Sequence, residues 1–370
     1  MVRQCMRRSA LSAAASLAVA CFTASPALAS QGAPRAVGTT STLIASTVPA
    51  NGDVNPYGVA IVPRSSGDLH RGDVLVSNFN AVSNLQGTGT TIVQISPRGK
   101  RSTFARINPA KLPGTCPGGV GLTTALVVLR SGWVVVGSLP TTDGTSATAK
   151  AGCLLVLDDH GKVRETIAGH GINGPWDMTA LDHGDFAELF ITNVLNGTVA
   201  AGGATVDHGT VERLSLAVSD DRPPVLLDHR VIGSGFGEHS DPAALVVGPT
   251  GLALSDEGTL YVADSVGNRI TAIPNAPWRY SDAGTGHTVT SGGALNTPLG
   301  LALARNGDIL AVNAADGNLV ATTPGGTQTQ TVTLDTSGNP PGAGALFGLA
   351  VTHRGVYYVD DATNTLNLLH

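Results

Sequence analysis

The 370-residue chain is short of positive charge: 22 Lys and Arg stand against 27 Asp and Glu, a net charge of −5 with His neutral. Its only basic cluster, Arg98, Lys100 and Arg101, sits in a Pro-Gly turn and reads as a solvated hairpin tip. No nucleic-acid partner is therefore expected. Sustained helical periodicity is missing, which argues against an α or α/β fold. After the N-terminal region no apolar run is long enough to cross a bilayer, so no transmembrane segment is expected in the mature chain. Standard catalytic signatures are missing too: the sequence has no G-x-S-x-G, no H-E-x-x-H and no phosphate-binding loop. Cysteine is scarce, with four in all.

The first 29 residues have the makeup of an export signal. Arg3, Arg7 and Arg8 precede the apolar run Ala10 to Ala20, and Ala27-Leu28-Ala29 is the small-x-small pattern of a signal-peptidase site. Cleavage before Ser30 removes three of the 22 basic residues and no acid, leaving 19 against 27 and a net charge of −8. A lipid anchor at Cys21 is the weaker reading, because Ala18 stands where Leu is usual. Cys5 and Cys21 leave with the leader, so Cys116 and Cys153 remain. An even pair in an oxidising compartment is most simply a disulfide, with a thiolate nucleophile or metal ligand as the alternative. The reading is thus of an exported protein, periplasmic or extracellular. Residues 1–29 are its signal, 30–39 a flexible leader and 40–370 a single domain.

What the chain has in quantity is glycine, 47 residues, placed between short apolar runs. Pro249 to Ile273 displays the unit: a strand Gly251 to Leu254, a turn Ser255-Asp256-Glu257-Gly258, a strand Thr259 to Ala263, a turn Ser265 to Asn268, and a third strand from Arg269. Asp, Asn and Gly occupy the corners that chain reversal needs. Equivalent positions recur at Gly58, Gly121, Asp177, Gly251, Gly300 and Gly348, giving six units. One such meander cannot bury both faces, so the units must pack on one another. The expected fold is all-β, a six-bladed β-propeller of four-stranded antiparallel sheets. The last unit stops one strand short, and the orphan strand Thr40 to Val48 is expected to complete it and close the ring.

Pro249-Thr250-Gly251-Leu252-Ala253-Leu254, Leu260-Tyr261-Val262-Ala263-Asp264 and Gly267-Asn268-Arg269-Ile270 resemble the NHL repeat of six-bladed β-propellers. The resemblance covers nearly the whole mature chain and implies the fold. Function is open, because such propellers include binding scaffolds, lactonases and lyases. It also implies a ligand site on the axis, on the face shared by the d–a and b–c connections, with strands a to d counted outward.

Residues expected near that mouth are Tyr57, Trp176, Asp177, Thr250, Leu299 and Phe347, an almost wholly apolar set beside one acid. The ends of the second strands offer Asn193, Asp264, Asn313 and Asp360, together with Asn78 and Ser138. These read first as turn caps and second as oxygen ligands for a divalent cation such as calcium. His170, His208 and His239 belong to loops of the same face. The apolar set and the missing signatures favour a binding module using its loop-rich face for a protein, peptide or glycan. The alternative is a secreted hydrolase or lyase, lactonase-like, with a metal at the axial mouth.

Overall fold

Val134-Val135-Val136 and Leu154-Leu155-Val156-Leu157 are unbroken apolar runs, which strands need when both of their faces are covered. The computed structural model, which describes residues 36–370 apart from Ala243, shows why. The expected export signal lies outside the described residues. Six antiparallel sheets stand side by side, and successive residues of each middle strand serve two different cores. Val74 and Val76 face the core shared by blades 6 and 1; Leu75, between them, faces the core shared by blades 1 and 2.

Blade 1 comprises Val54–Ile61, Val74–Asn80, Thr91–Ile95 and Arg101–Arg106. Blade 2 comprises Leu122–Val128, Val134–Ser138, Cys153–Leu157 and Val163–Ile167, and blade 3 Gly174–Asp182, Phe186–Val194, Val206–Ala217 and Val225–Asp241. Blade 3 carries a fifth strand, Leu245–Val247, which the expected four-stranded sheet does not include, and its fourth strand runs for 17 residues. Blade 4 is Pro249–Leu254, Leu260–Asp264, Arg269–Ile273 and His287–Ser291, and blade 5 is Pro298–Leu303, Ile309–Asn313, Asn318–Thr322 and Gln328–Thr333. Leu346–Thr352, Gly355–Asp360 and Thr365–Leu369 form blade 6, and Ser41–Ser46 is its outer strand, antiparallel to Thr365–Leu369. The N-terminal strand thus closes the ring as expected. Each first strand packs against the first strand of the next blade, and the sixth against the first.

Every first strand has a register irregularity at the same level, for example between Pro56 and Val59 and between Pro298 and Leu301. There the backbones of neighbouring blades come together. A Cβ at Gly251, Gly300 or Gly348 would collide with the carbonyl of Leu299, Phe347 or Tyr57 of the next blade. In blade 2 the irregularity spans Thr123 to Ala125, three residues rather than two, and lies past the expected Gly121. Cys116 and Cys153 form a disulfide with Cα atoms 5.3 Å apart, tying the approach to blade 2 to its third strand. Val37, within the expected leader, is buried, and its backbone exchanges two hydrogen bonds with Gln330 of blade 5. Among the described residues no helix is long and apolar enough to cross a membrane.

Candidate functional site in the axial cavity

Four of the residues expected at the mouth come together on the axis as a closed plug. Tyr57 stacks on Phe347 at 3.8 Å and on Phe79 at 4.5 Å, with Trp176 at 6.2 Å. Leu299 joins the same core, and all five residues are at most 3% exposed. The Trp176 indole donates to the Val246 carbonyl at 3.1 Å, so its polar edge is satisfied too. Thr250 turns away into the contact with blade 5, bonding Ser265 Oγ at 2.7 Å and Pro298 O at 3.2 Å. On the loop-rich face these side chains fill the axis rather than frame an opening.

The second-strand ends are occupied with their own surroundings. Asn193 Oδ1 accepts from the Asn173 and Gly174 amides, and Asp264 accepts from the Gly267 amide and from Arg269 Nε at 2.7 Å. Asn313 Nδ2 donates to Ala294 O, and Asp360 Oδ1 accepts from the Thr363 amide at 3.1 Å. His208 Nδ1 lies 2.8 Å from Asn196 O, and His239 Nδ1 lies 3.2 Å from Ser240 O. No three His, Cys, Asp or Glu side chains among the described residues are gathered as a cation site would require. Asn193, Asp264, Asn313 and Asp360, the residues expected as cation ligands, thus each have a hydrogen-bond partner within the protein.

A cavity of about 550 Å³ opens instead on the opposite face, among the turns between first and second strands. Its walls are the six first strands below the register irregularities, and Pro63, Arg130 and Asp182 mark its mouth. The aromatic plug sits one residue above its inner end. Each first strand is the edge of its sheet, so the wall combines apolar side chains with an inner row of backbone groups that have no sheet partner.

Asp177 stands at the inner end of this cavity, in the position that Gly251, Gly300 and Gly348 occupy in other blades. Its Oδ1 accepts from the Met178 amide at 2.8 Å, and its Oδ2 accepts from the Leu252 amide of blade 4 at 2.9 Å. Burial pushes the carboxyl up to about 7, against the pull of those two amides toward the charged form. Thr124 shares the inner end, and its buried hydroxyl has no hydrogen-bond partner. A buried carboxyl raised toward neutrality and oriented by two backbone donors, in a cavity that Thr124 also lines, can pass a proton to and from a molecule held there.

The repeat pattern singled out Asp177 as the one acid beside the strand-a positions, but not the side from which it is reached. Thr124 was missed because Gly121 offered the glycine match, whereas the irregularity of blade 2 falls past it, between Leu122 and Leu126. Glu212 and Glu238 were missed as well; burial pushes each up to about 7, and each leaves one carboxylate oxygen without a partner. No periodicity in sequence marks them, since their burial comes from the loop Val194 to Gly209 and the approach to blade 3.

The architecture defines a six-bladed β-propeller, and solved structures agree. The fold is similar to a gluconolactonase from Xanthomonas campestris at 15% identity and a TM-score of 0.51, covering 92% of this chain and 98% of that one. It is also similar to a luciferin-regenerating enzyme at 11% identity and a TM-score of 0.52, over 90% and 95% of the two chains. An inactive virginiamycin B lyase from Staphylococcus aureus with quinupristin matches at 13% identity and a TM-score of 0.50, over 89% and 99%. No protein-family model matches the sequence, and no curated protein matches it.

Proposed function

We propose that this NHL-like propeller is an exported enzyme of the hydrolase or lyase type, acting on a small molecule held in the axial cavity. Asp177 is the group that takes up and returns the proton. The observation that carries this reading is a buried carboxyl at about 7 at the inner end of a 550 Å³ cavity. Catalytic acids and bases work best with a pKa near the operating pH, and burial is the usual means of raising a carboxyl there. The Met178 and Leu252 amides each occupy one lone-pair direction of an oxygen, leaving the others for water or substrate. Thr124 is placed to hydrogen-bond the same molecule. The gluconolactonase and the lyase among the structural neighbours are enzymes by name, which accords with the reading; at their low identities the chemistry rests on Asp177. Export is supported by the leader sequence and is compatible with the Cys116–Cys153 disulfide.

The test is a screen of lactones and esters with the wild type and Asp177→Asn, with melting curves for both. Turnover that follows one ionisation near pH 7 and falls at least ~100-fold in a folded Asn variant is expected. No turnover of any substrate, or turnover unchanged in the variant, would set the reading aside.

A second reading, a binding module for a protein, peptide or glycan, draws on the loop-rich face. There Val82 is 72% exposed, and a hollow of about 520 Å³ lies between Gly144 to Ala147, Val199, Gly202, Gly203 and Ser240 to Pro242. Binding on that face would be indifferent to Asp177→Asn.

A further inference from the structure

Aromatic residues make up 4% of the chain, and two of them are set apart from the rest. Trp133 and Trp176 are buried, as are Tyr57, Tyr261, Tyr357 and Tyr358, but Trp278 is 69% exposed and Tyr280 77% exposed. A lone exposed ring is unremarkable; two on one short segment are informative. Trp278 ends a short 3-10 turn, Ala276 to Trp278, and Arg279 follows it in extended conformation at φ −76° and ψ 127°, so the two rings stand two residues apart on one exposed connection.

The segment is the connection between the third and fourth strands of blade 4, and it is braced. Ala276 and Pro277 are buried, and the nearly inaccessible Arg213 of blade 3 donates to the Pro277 carbonyl at 2.6 Å. The Ala276 amide donates to Gly258 O, the Ala283 amide to Ile232 O, and Ser234 N to Gly284 O. Tyr280 is positioned by two guanidiniums, Arg230 at 5.1 Å and Arg213 at 5.9 Å from its ring centroid. The segment that presents the two rings, and Tyr280 itself, thus have little freedom left to lose on binding.

The surroundings select the partner. Ser281 and Asp282, next along the chain, are exposed, as are Asp256 and Glu257 in the turn whose Gly258 carbonyl accepts from the Ala276 amide, and Arg279 between the rings is half-buried. An apolar protein surface would have to strip water from these groups, and the carboxylates repel an anionic bilayer. Pyranose rings instead bring C–H faces to the aromatics and hydroxyls to the carboxylates and guanidinium. The connection lies on the face that also carries the mouth of the axial cavity.

We infer that Trp278 and Tyr280 form a docking platform for an uncharged carbohydrate chain on this face. The platform is independent of the Asp177 chemistry.

The test uses the full mature chain with cellohexaose and chitohexaose as probes, read by tryptophan fluorescence and by retardation in gels containing the corresponding soluble polysaccharides. Trp133 and Trp176 are buried, so a saccharide-induced spectral shift reports Trp278. Saturable binding of at least one probe is expected, weakened at least ~10-fold by Trp278→Ala and by Tyr280→Ala with the melting temperature unchanged. Failure of both saccharides to bind overturns the inference, as does binding that survives the double substitution. Binding to phosphatidylglycerol vesicles without binding to either saccharide would also overturn it, and would assign the rings to a lipid surface.

Discussion

At the scale of single residues, one position in the first strands carries most of the meaning. Gly251, Gly300 and Gly348 stand where neighbouring blades touch backbone to backbone, with no room for a Cβ. Gly300→Ala is expected to destabilise the fold by about 1–3 kcal/mol, because the methyl must push Phe347 and blade 6 away. Urea denaturation at constant m-value checks this. Asp177 fills the equivalent position with a carboxylate that reaches the Leu252 amide across the same gap. The residue type at this point therefore decides between a closed seam and a functional group at the cavity's inner end. Asp177 was visible in the sequence as an acid in an otherwise apolar set. Its raised pKa was not, because burial depends on neighbours far away in the chain.

At the scale of elements, the strands were legible and the connections were not. Apolar runs such as Ile309–Asn313 and Val134–Ser138 announce strands buried on both faces. The orphan N-terminal strand followed from counting, since a ring of four-stranded sheets had one strand missing. Its pairing is fastened at the end by reciprocal bonds between Thr40 and His370, at 3.1 and 2.9 Å, and by Ser41 Oγ to Tyr358 OH at 2.5 Å. Deleting residues 36–46 should leave the Thr365–Leu369 edge unpaired. A drop in melting temperature of roughly 5–10 °C, with concentration-dependent association, is the expected result by calorimetry and light scattering. The extension of blade 3 to Asp241 and its fifth strand escaped the repeat pattern, because Gly233 to Gly237 reads as a loop until tertiary packing holds it extended.

At the scale of the whole molecule, burial of carboxyls sets the response to pH. Asp177, Glu212, Glu238 and Asp361 are each pushed up to about 7, chiefly by burial. Asp73, Glu188 and Asp360 are raised for the same leading reason, whereas Asp143 is lowered by bonds from Thr148 and Thr145. The folded chain thus keeps protons that the unfolded chain releases above about pH 4. Stability from these groups is fully present below that point and is lost as the pH rises through about 7. The melting temperature should fall by several degrees between pH 5 and pH 8 and level off above, measured in buffers of constant ionic strength.

The sequence by itself determined the class of architecture, the number of blades and the way the ring closes. Strand periodicity, turn chemistry and the need to bury both faces of a sheet are local properties, repeated six times. Only the tertiary structure decided which end of the axis is open. Tyr57, Phe79, Trp176 and Phe347 come from three blades, with Tyr57 and Phe347 290 positions apart in the chain, and their rings stack because closure of the ring brings them to one point. That stack fills the loop-rich face and leaves the cavity, with Asp177 at its inner end, to the other.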